Sequence, residues 1–288
     1  EKNFIHHLSS PLPYRRKNDQ TVEEFCNELV KEFEQKIEEL GAENVAAFIA
    51  EPVLASGGCI VPPDGYFKKI YDVCKKNQII FIADEVVTGF GRLGHFFSSE
   101  EIFGVVPDII TCAKGITSGY LPLGAVLFSN KLIADLKDDS SLFFHGYTYS
   151  GHPACCAAAL KNIEILKRDK ILEHVKEIEP YFFEKLNSLY ELPIVGDIRG
   201  KGLMAGIECV INKDSKEALV LDKAIGSRID EESIKLGLII RPLYHICVLS
   251  PALIINKEQI NELTEKLYQA ISNTIDQLKN EGLWSQTK

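Results

Sequence analysis

The chain has 288 residues, 45% hydrophobic and 25% charged, with a formal net charge of −9 and a sequence pI near 5.4. That is enough for one large or two modest cores, and the acidic balance argues against nucleic acid or an anionic membrane surface as the main partner. No apolar run approaches the ~20 residues needed to span a bilayer and the start carries no signal-peptide pattern, so a cytoplasmic protein without membrane contact is expected.

Residues 1–20 read as irregular, with Pro11, Pro13 and a basic "YRRK" at 14–17. Thr21 followed by Glu24 is a capping box that starts a helix, and Gly41 supplies its stop. "VAAFIAEPV" then reads as a buried strand from Val45 to Ala50 ending at Glu51. Residues 64–77 have helical spacing, with Phe67, Ile70, Tyr71 and Cys74 on one face. The strand "IIFIA" (79–83) runs into Asp84, "DIITCA" (108–113) runs into Lys114, and "LGAVLF" (123–128) is a further strand. From Gly151 a long helix pattern follows, with Pro153 in its first turn. Beyond about residue 165 come two helix patterns, "GLMAGIECV" (202–210), another helix, "LGLIIRPL" (236–243) and a final helix from about 257.

Apolar strands alternating with amphipathic helices predict an α/β domain with a mainly parallel sheet, followed by a smaller α+β domain. The expected division is 1–164, the C-terminal part of a large domain, and 165–288, a small C-terminal domain. Ligands of such sheets bind beyond the carboxyl ends of the strands, where Glu51, Asp84 and Lys114 all fall.

Eight cysteines are scattered without a C-x-x-C pair, and seven histidines show no ligand spacing. Packed, reduced thiols are expected, with no disulfide frame and no metal site. The only methionine is Met204, so Glu1 is not a retained initiator and the chain reads as a fragment or processed product.

Burying an unpaired carboxylate costs several kcal/mol, so Asp84 at the end of a core strand calls for a cation. Taken alone it also reads as a helix N-cap. Lys114, followed by Gly115 and Gly119, would have its amine held against a crowded backbone, which favours the neutral, nucleophilic form. Taken alone it also reads as a strand-end lysine reaching solvent. Together, a carboxylate for a pyridine nitrogen and an amine for an aldehyde are the recurring layout of a pyridoxal phosphate site.

The blocks "FIAEPV", "ADEVVTGFGRLG", "PDIITCAKGITSGYLPLGA" and "HGYTYSGHPACCAAAL" resemble, in order, those of the class III pyridoxal-phosphate aminotransferases, the ω-aminotransferase group of fold type I. The resemblance implies pyridoxal 5'-phosphate as cofactor, small amine and ketoacid substrates, and a homodimer with active sites at the subunit interface. It implies Lys114 as the Schiff-base lysine, Asp84 as the pyridine-nitrogen partner and Val86 as the residue packed on the ring. It further implies Thr148 as a phosphate donor across the dimer interface, and Arg241 as the arginine that grips a substrate carboxylate. By itself Thr148 reads as a turn residue, and Arg241 equally as a surface arginine at a strand end.

Departures from the pattern narrow this expectation. Ser56 stands where ornithine and 4-aminobutyrate enzymes carry a glutamate, and Val248 stands near the position of that glutamate's arginine partner. Both halves of the ion pair are missing together, which points away from glutamate-coupled enzymes and toward pyruvate as amino acceptor. The family's earlier portion, with its phosphate loop and ring-stacking aromatic, has no counterpart in residues 1–20. A 7,8-diaminopelargonate synthase-like enzyme and a truncated, non-catalytic remnant are the alternatives. No G-x-G-x-x-G or G-x-x-x-x-G-K-[ST] supports a generic nucleotide-binding domain.

Overall fold

A computed structural model describes residues 4–135, 144–218 and 225–284. They form two compact units: Glu1–Pro52 with Pro62–Leu172, and Val53–Val61 with Glu173–Lys288.

In the first unit, helix α1 (Val22–Leu40) is started by the reciprocal Thr21–Glu24 box and ends at Gly41, whose φ of 80° suits a residue without a side chain. Its buried stripe of Cys26, Leu29, Phe33 and Ile37 recurs every three or four residues. Strand β1 (Ala47–Ala50), helix α2 (Tyr66–Lys76), strand β2 (Ile80–Asp84), helix α3 (Ser98–Phe103), strand β3 (Ile109–Cys112), strand β4 (Ala125–Phe128), helix α4 (Asn130–Asp135) and helix α5 (Pro153–Arg168) follow. The sheet order is β1-β2-β3-β4, parallel across the first three strands and antiparallel at β4.

Strands β1, β3 and β4 are shorter than the apolar runs in the sequence, whereas β2 keeps five residues, shifted by one so that Asp84 is its last. Val45 closes a single turn over Ala42–Asn44, and Asp108 stays outside β3. The Asp108 carboxylate accepts the Phe81 N–H at 2.9 Å and pairs with Lys75 at 2.6 Å.

One face of this sheet packs on α1 and α2. Phe81 is the centre of that layer: Phe48, Phe67 and Tyr71 surround it at ring-centroid distances of 5.5, 6.1 and 5.6 Å. Replacing Phe81 with alanine is expected to lower stability by about 3–5 kcal/mol, since it removes burial and leaves a cavity. A urea titration of the variant against the unaltered chain checks this. On the other face, the strand register aligns Ile49 with Ile82, and Asp84 with Thr111 and Val126. There Ile49 is 59% and Val126 51% exposed.

The second unit holds helix α6 (Ile171–Leu186), strands β5 (Val195–Lys201), β6 (Met204–Asn212) and β7 (Glu217–Ala218), helix α7 (Ile225–Lys235), strands β8 (Arg241–Leu243) and β9 (Ile246–Leu249), and helix α8 (Lys257–Asn280). The sheet order is β5-β6-β9-β8, all antiparallel, with β7 beside β6. Seven successive residues of β6, from Met204, are buried, so both its faces are covered. Phe182, Leu186, Ile207, Leu267 and Ile271 join its core. Of the expected apolar run 236–243, only Arg241–Leu243 is strand. The segment Val53–Val61 belongs to this unit: the Arg199 guanidinium, paired with Asp197 and Glu208, also donates to the Gly58 carbonyl at 2.8 Å. All eight cysteines carry free thiols, seven of them buried.

Candidate active site

Because β1, β2 and β3 run parallel, their carboxyl ends share one edge of the sheet. Asp84 closes β2, aligned with Thr111 of β3, and Lys114 lies three residues beyond that neighbour.

The adjacent carboxylates Asp84 and Glu85 divide two tasks. Glu85 is fully buried and accepts the Ser98 and Ser99 N–H groups at 2.7 and 2.8 Å. It also accepts the Ser99 hydroxyl at 2.7 Å and the Thr88 hydroxyl at 2.7 Å. These bonds satisfy the charge and tie both ends of the connection from β2 to α3. Asp84 stays half-buried on the sheet's open face, with one oxygen accepting the Val86 N–H at 3.0 Å. Its other oxygen takes no hydrogen bond among the described residues.

Lys114 opens a short turn (Lys114–Thr117) and holds φ of +41°, a region unfavourable for a residue with a side chain. Gly115 follows because nothing larger fits: a Cβ there would come within 3.0 Å of the Gly89 carbonyl oxygen and of the Phe90 Cβ. The turn after Lys114 and the loop after Asp84 therefore touch backbone to backbone. On the other side, Asn162 of α5 donates to the Gly115 and Ile116 carbonyls at 2.8 and 3.1 Å and accepts the Ser118 hydroxyl at 2.7 Å. The Lys114 amine is exposed and has no partner among the described residues. Just before it, burial pushes the Cys112 thiol up, and the Glu85 charge adds to the effect. That thiol stays protonated and is no competing nucleophile.

Among the residues expected from sequence, Asp84, Val86 and Lys114 share this edge. Val86 is half-buried directly beyond Asp84. Thr148 lies in an exposed turn before α5, and its side chain bonds to no described residue. Arg241 begins β8 in the second unit, exposed and without a partner among the described residues. Sequence reasoning missed Glu85 and Asn162. A second carboxylate after a strand was the only available signal for the former, and nothing marked the latter.

The donor set suits a phosphorylated pyridine aldehyde, since it offers an open carboxylate oxygen for a ring N–H and an unpaired primary amine for a carbonyl.

Residues 2–271 match the family model Aminotransferase class-III. A putrescine–pyruvate aminotransferase of Pseudomonas aeruginosa is 42% identical over 271 residues, which cover 94% of this chain and 59% of that protein. A probable γ-aminobutyrate transaminase 3, mitochondrial, of Oryza sativa subsp. indica is 40% identical over 96% of this chain and 54% of its own length. Among solved structures, a thermostable (S)-enantioselective ω-transaminase from Thermomicrobium roseum superposes with a TM-score of 0.89 at 42% identity, covering 94% of this chain and 60% of that one. The architecture is that of the fold type I transaminases, as expected from the sequence. The chain belongs to the class III aminotransferase family, whose members depend on pyridoxal phosphate, and it spans 54–60% of the length of these three relatives.

Proposed function

We propose that this chain carries the reactive lysine and the ring-nitrogen carboxylate of a transaminase that moves an amino group from an amine or ω-amino acid to pyruvate. The observation that carries the reading is the pairing, at one sheet edge, of an open Asp84 oxygen with an unpaired Lys114 amine on a strained turn.

Bound pyridoxal phosphate would supply an electron sink for the bond-breaking steps. Lys114 would hold the cofactor through its amine. Once free, that amine would act as general base at the amino-bearing carbon of the donor, and as general acid at the ketoacid carbon in the reverse half. Asp84 would keep the ring nitrogen protonated, and Val86 would pack on the ring. Thr148 would donate to the cofactor phosphate of a second copy in a homodimer, and Arg241 would bind a substrate carboxylate. Pyruvate as acceptor is supported by the joint absence of an ionic pair at Ser56 and Val248, and by the activity for which the Pseudomonas relative is named. The rice relative, named for 4-aminobutyrate, places that amine among the donors to be screened.

The test is to incubate the chain with pyridoxal phosphate, reduce with borohydride and map the label by mass spectrometry. Alanine formation from pyruvate is then followed with putrescine and 4-aminobutyrate as donors. Label confined to the Lys114 peptide is the expected result, with pyruvate turned over faster than 2-oxoglutarate. Label spread evenly over surface lysines would overturn the assignment of Lys114, and a preference for 2-oxoglutarate would overturn the choice of acceptor.

A further inference from the structure

We infer that Asn162 is a positioning residue for Lys114, holding the lysine's backbone in the one conformation from which its amine can serve the site. The importance of that conformation rests on the transaminase reading, whereas the clamp itself rests on geometry alone.

The turn after Lys114 is held unevenly by its own bonds. Ile116 N–H to the Ala113 carbonyl and Tyr120 N–H to the Thr117 carbonyl span 3.0 and 3.1 Å, and the Thr117 hydroxyl donates to the Leu121 carbonyl at 2.6 Å. The two links nearest the strained residues, Ser118 N–H to the Gly115 carbonyl and Gly119 N–H to the Lys114 carbonyl, span 3.2 and 3.3 Å, at the long end of the normal range. Two residues with side chains, Lys114 and Ser118, sit at φ of +41° and +49°. Such conformations persist only where the surroundings over-determine them.

Asn162 provides that constraint from outside the turn. Both hydrogens of its amide are used on consecutive carbonyls, those of Gly115 and Ile116, and its oxygen takes the Ser118 hydroxyl. Asparagine suits the task because one planar group combines two donors with an acceptor at fixed spacing. It projects from a sixteen-residue helix, a rigid base for a short turn. On the other side Gly115 lies so near the Gly89 carbonyl and Phe90 that an added Cβ would come to 3.0 Å from both. The segment is therefore held from two directions, neither of which involves the lysine's own side chain.

The experiment compares Asn162→Asp and Asn162→Gln with the unaltered chain. Aspartate has the same shape and keeps an acceptor for Ser118, but it sets a carboxylate against two carbonyls. Glutamine keeps the amide. Amide hydrogen exchange is read for residues 113–120, with β3 and α5 as internal references. The half-saturating pyridoxal phosphate concentration for borohydride label at Lys114 is read in parallel. Asn162→Asp should speed exchange in 113–120 by about 30-fold with the references unchanged, and weaken the labelling about ten-fold. Asn162→Gln should stay within about three-fold of the unaltered chain on both readouts.

The inference is overturned if exchange in 113–120 does not change. It is overturned equally if β3 and α5 loosen to the same degree, or if the turn loosens while labelling keeps its half-saturation. An unaltered chain that takes no selective label at Lys114 would count against the transaminase reading instead, and the exchange data would still decide on the clamp.

Discussion

Lys114→Ala abolishes the borohydride-stable adduct with pyridoxal phosphate and lowers amine-dependent alanine formation by about a thousand-fold or more. Lys114 follows β3 three residues beyond Thr111, the strand partner of Asp84, in a turn constrained by Asn162 and by the crowding at Gly115. The same substitution leaves the fold intact, because the Lys114 side chain is exposed and bonds to nothing described. Lys114→Gly sharpens the test. Glycine accepts a φ of +41° without the cost that a side chain brings, so this variant should melt no lower than the unaltered chain while losing the adduct completely. Mass spectrometry of the reduced protein and a calorimetric scan provide the two readings. A variant that keeps its label would place the reactive lysine elsewhere.

Glu85→Ala should be among the most destabilising single changes in the first unit. It strips the acceptor from two backbone N–H groups and two hydroxyls, in a site without solvent. Unmet buried donors cost about 1–3 kcal/mol each, and some relax toward new partners, so a loss of ~3–5 kcal/mol is expected. Glu85→Gln keeps the shape and the acceptor oxygen, but its amide group meets donors where the second oxygen had been, and it should fall between the two. Denaturant midpoints followed by far-UV dichroism check the order, and equal midpoints for all three proteins would contradict it. Asp84, its neighbour, carries no comparable structural burden: a single N–H bond from Val86 ties it down. The chain thus separates the carboxylate that builds the loop from the one left open at the sheet edge.

What could be read from the sequence was mostly what is decided locally. The Thr21–Glu24 box and the apolar stripe of α1 involve residues within one or two turns of each other, and both are present in the fold. The apolar centres of β1, β2 and β3 were legible, but their ends were not. Those ends depend on bonds from distant segments, such as the Asp108 carboxylate reaching Phe81. The direction of β4 follows from its connection. Residues 113–124 hold the Lys114 turn instead of a crossover helix, so the strand returns antiparallel. Asp84 and Lys114 announced themselves as charges after apolar runs of strand type. Asn162 did not, since a polar residue on a half-exposed helix has no signature until the turn it grips is folded beside it. Nor does the sequence show that residues 53–61 pack with the second unit, because Arg199 and Gly58 are 141 positions apart.

The open face of the first sheet, with Ile49 and Val126 in solvent and Asp84 at its end, couples two quantities that are usually measured apart. Any apolar surface that settles there removes water from the face and drains it from the neighbourhood of the carboxylate in the same event. By mass action, whatever binds the folded sheet but not the unfolded chain raises its melting temperature in proportion to the logarithm of its concentration, and self-association of the chain counts as such binding. A melting temperature that climbs with protein concentration would therefore report how far a second copy of the chain covers this face.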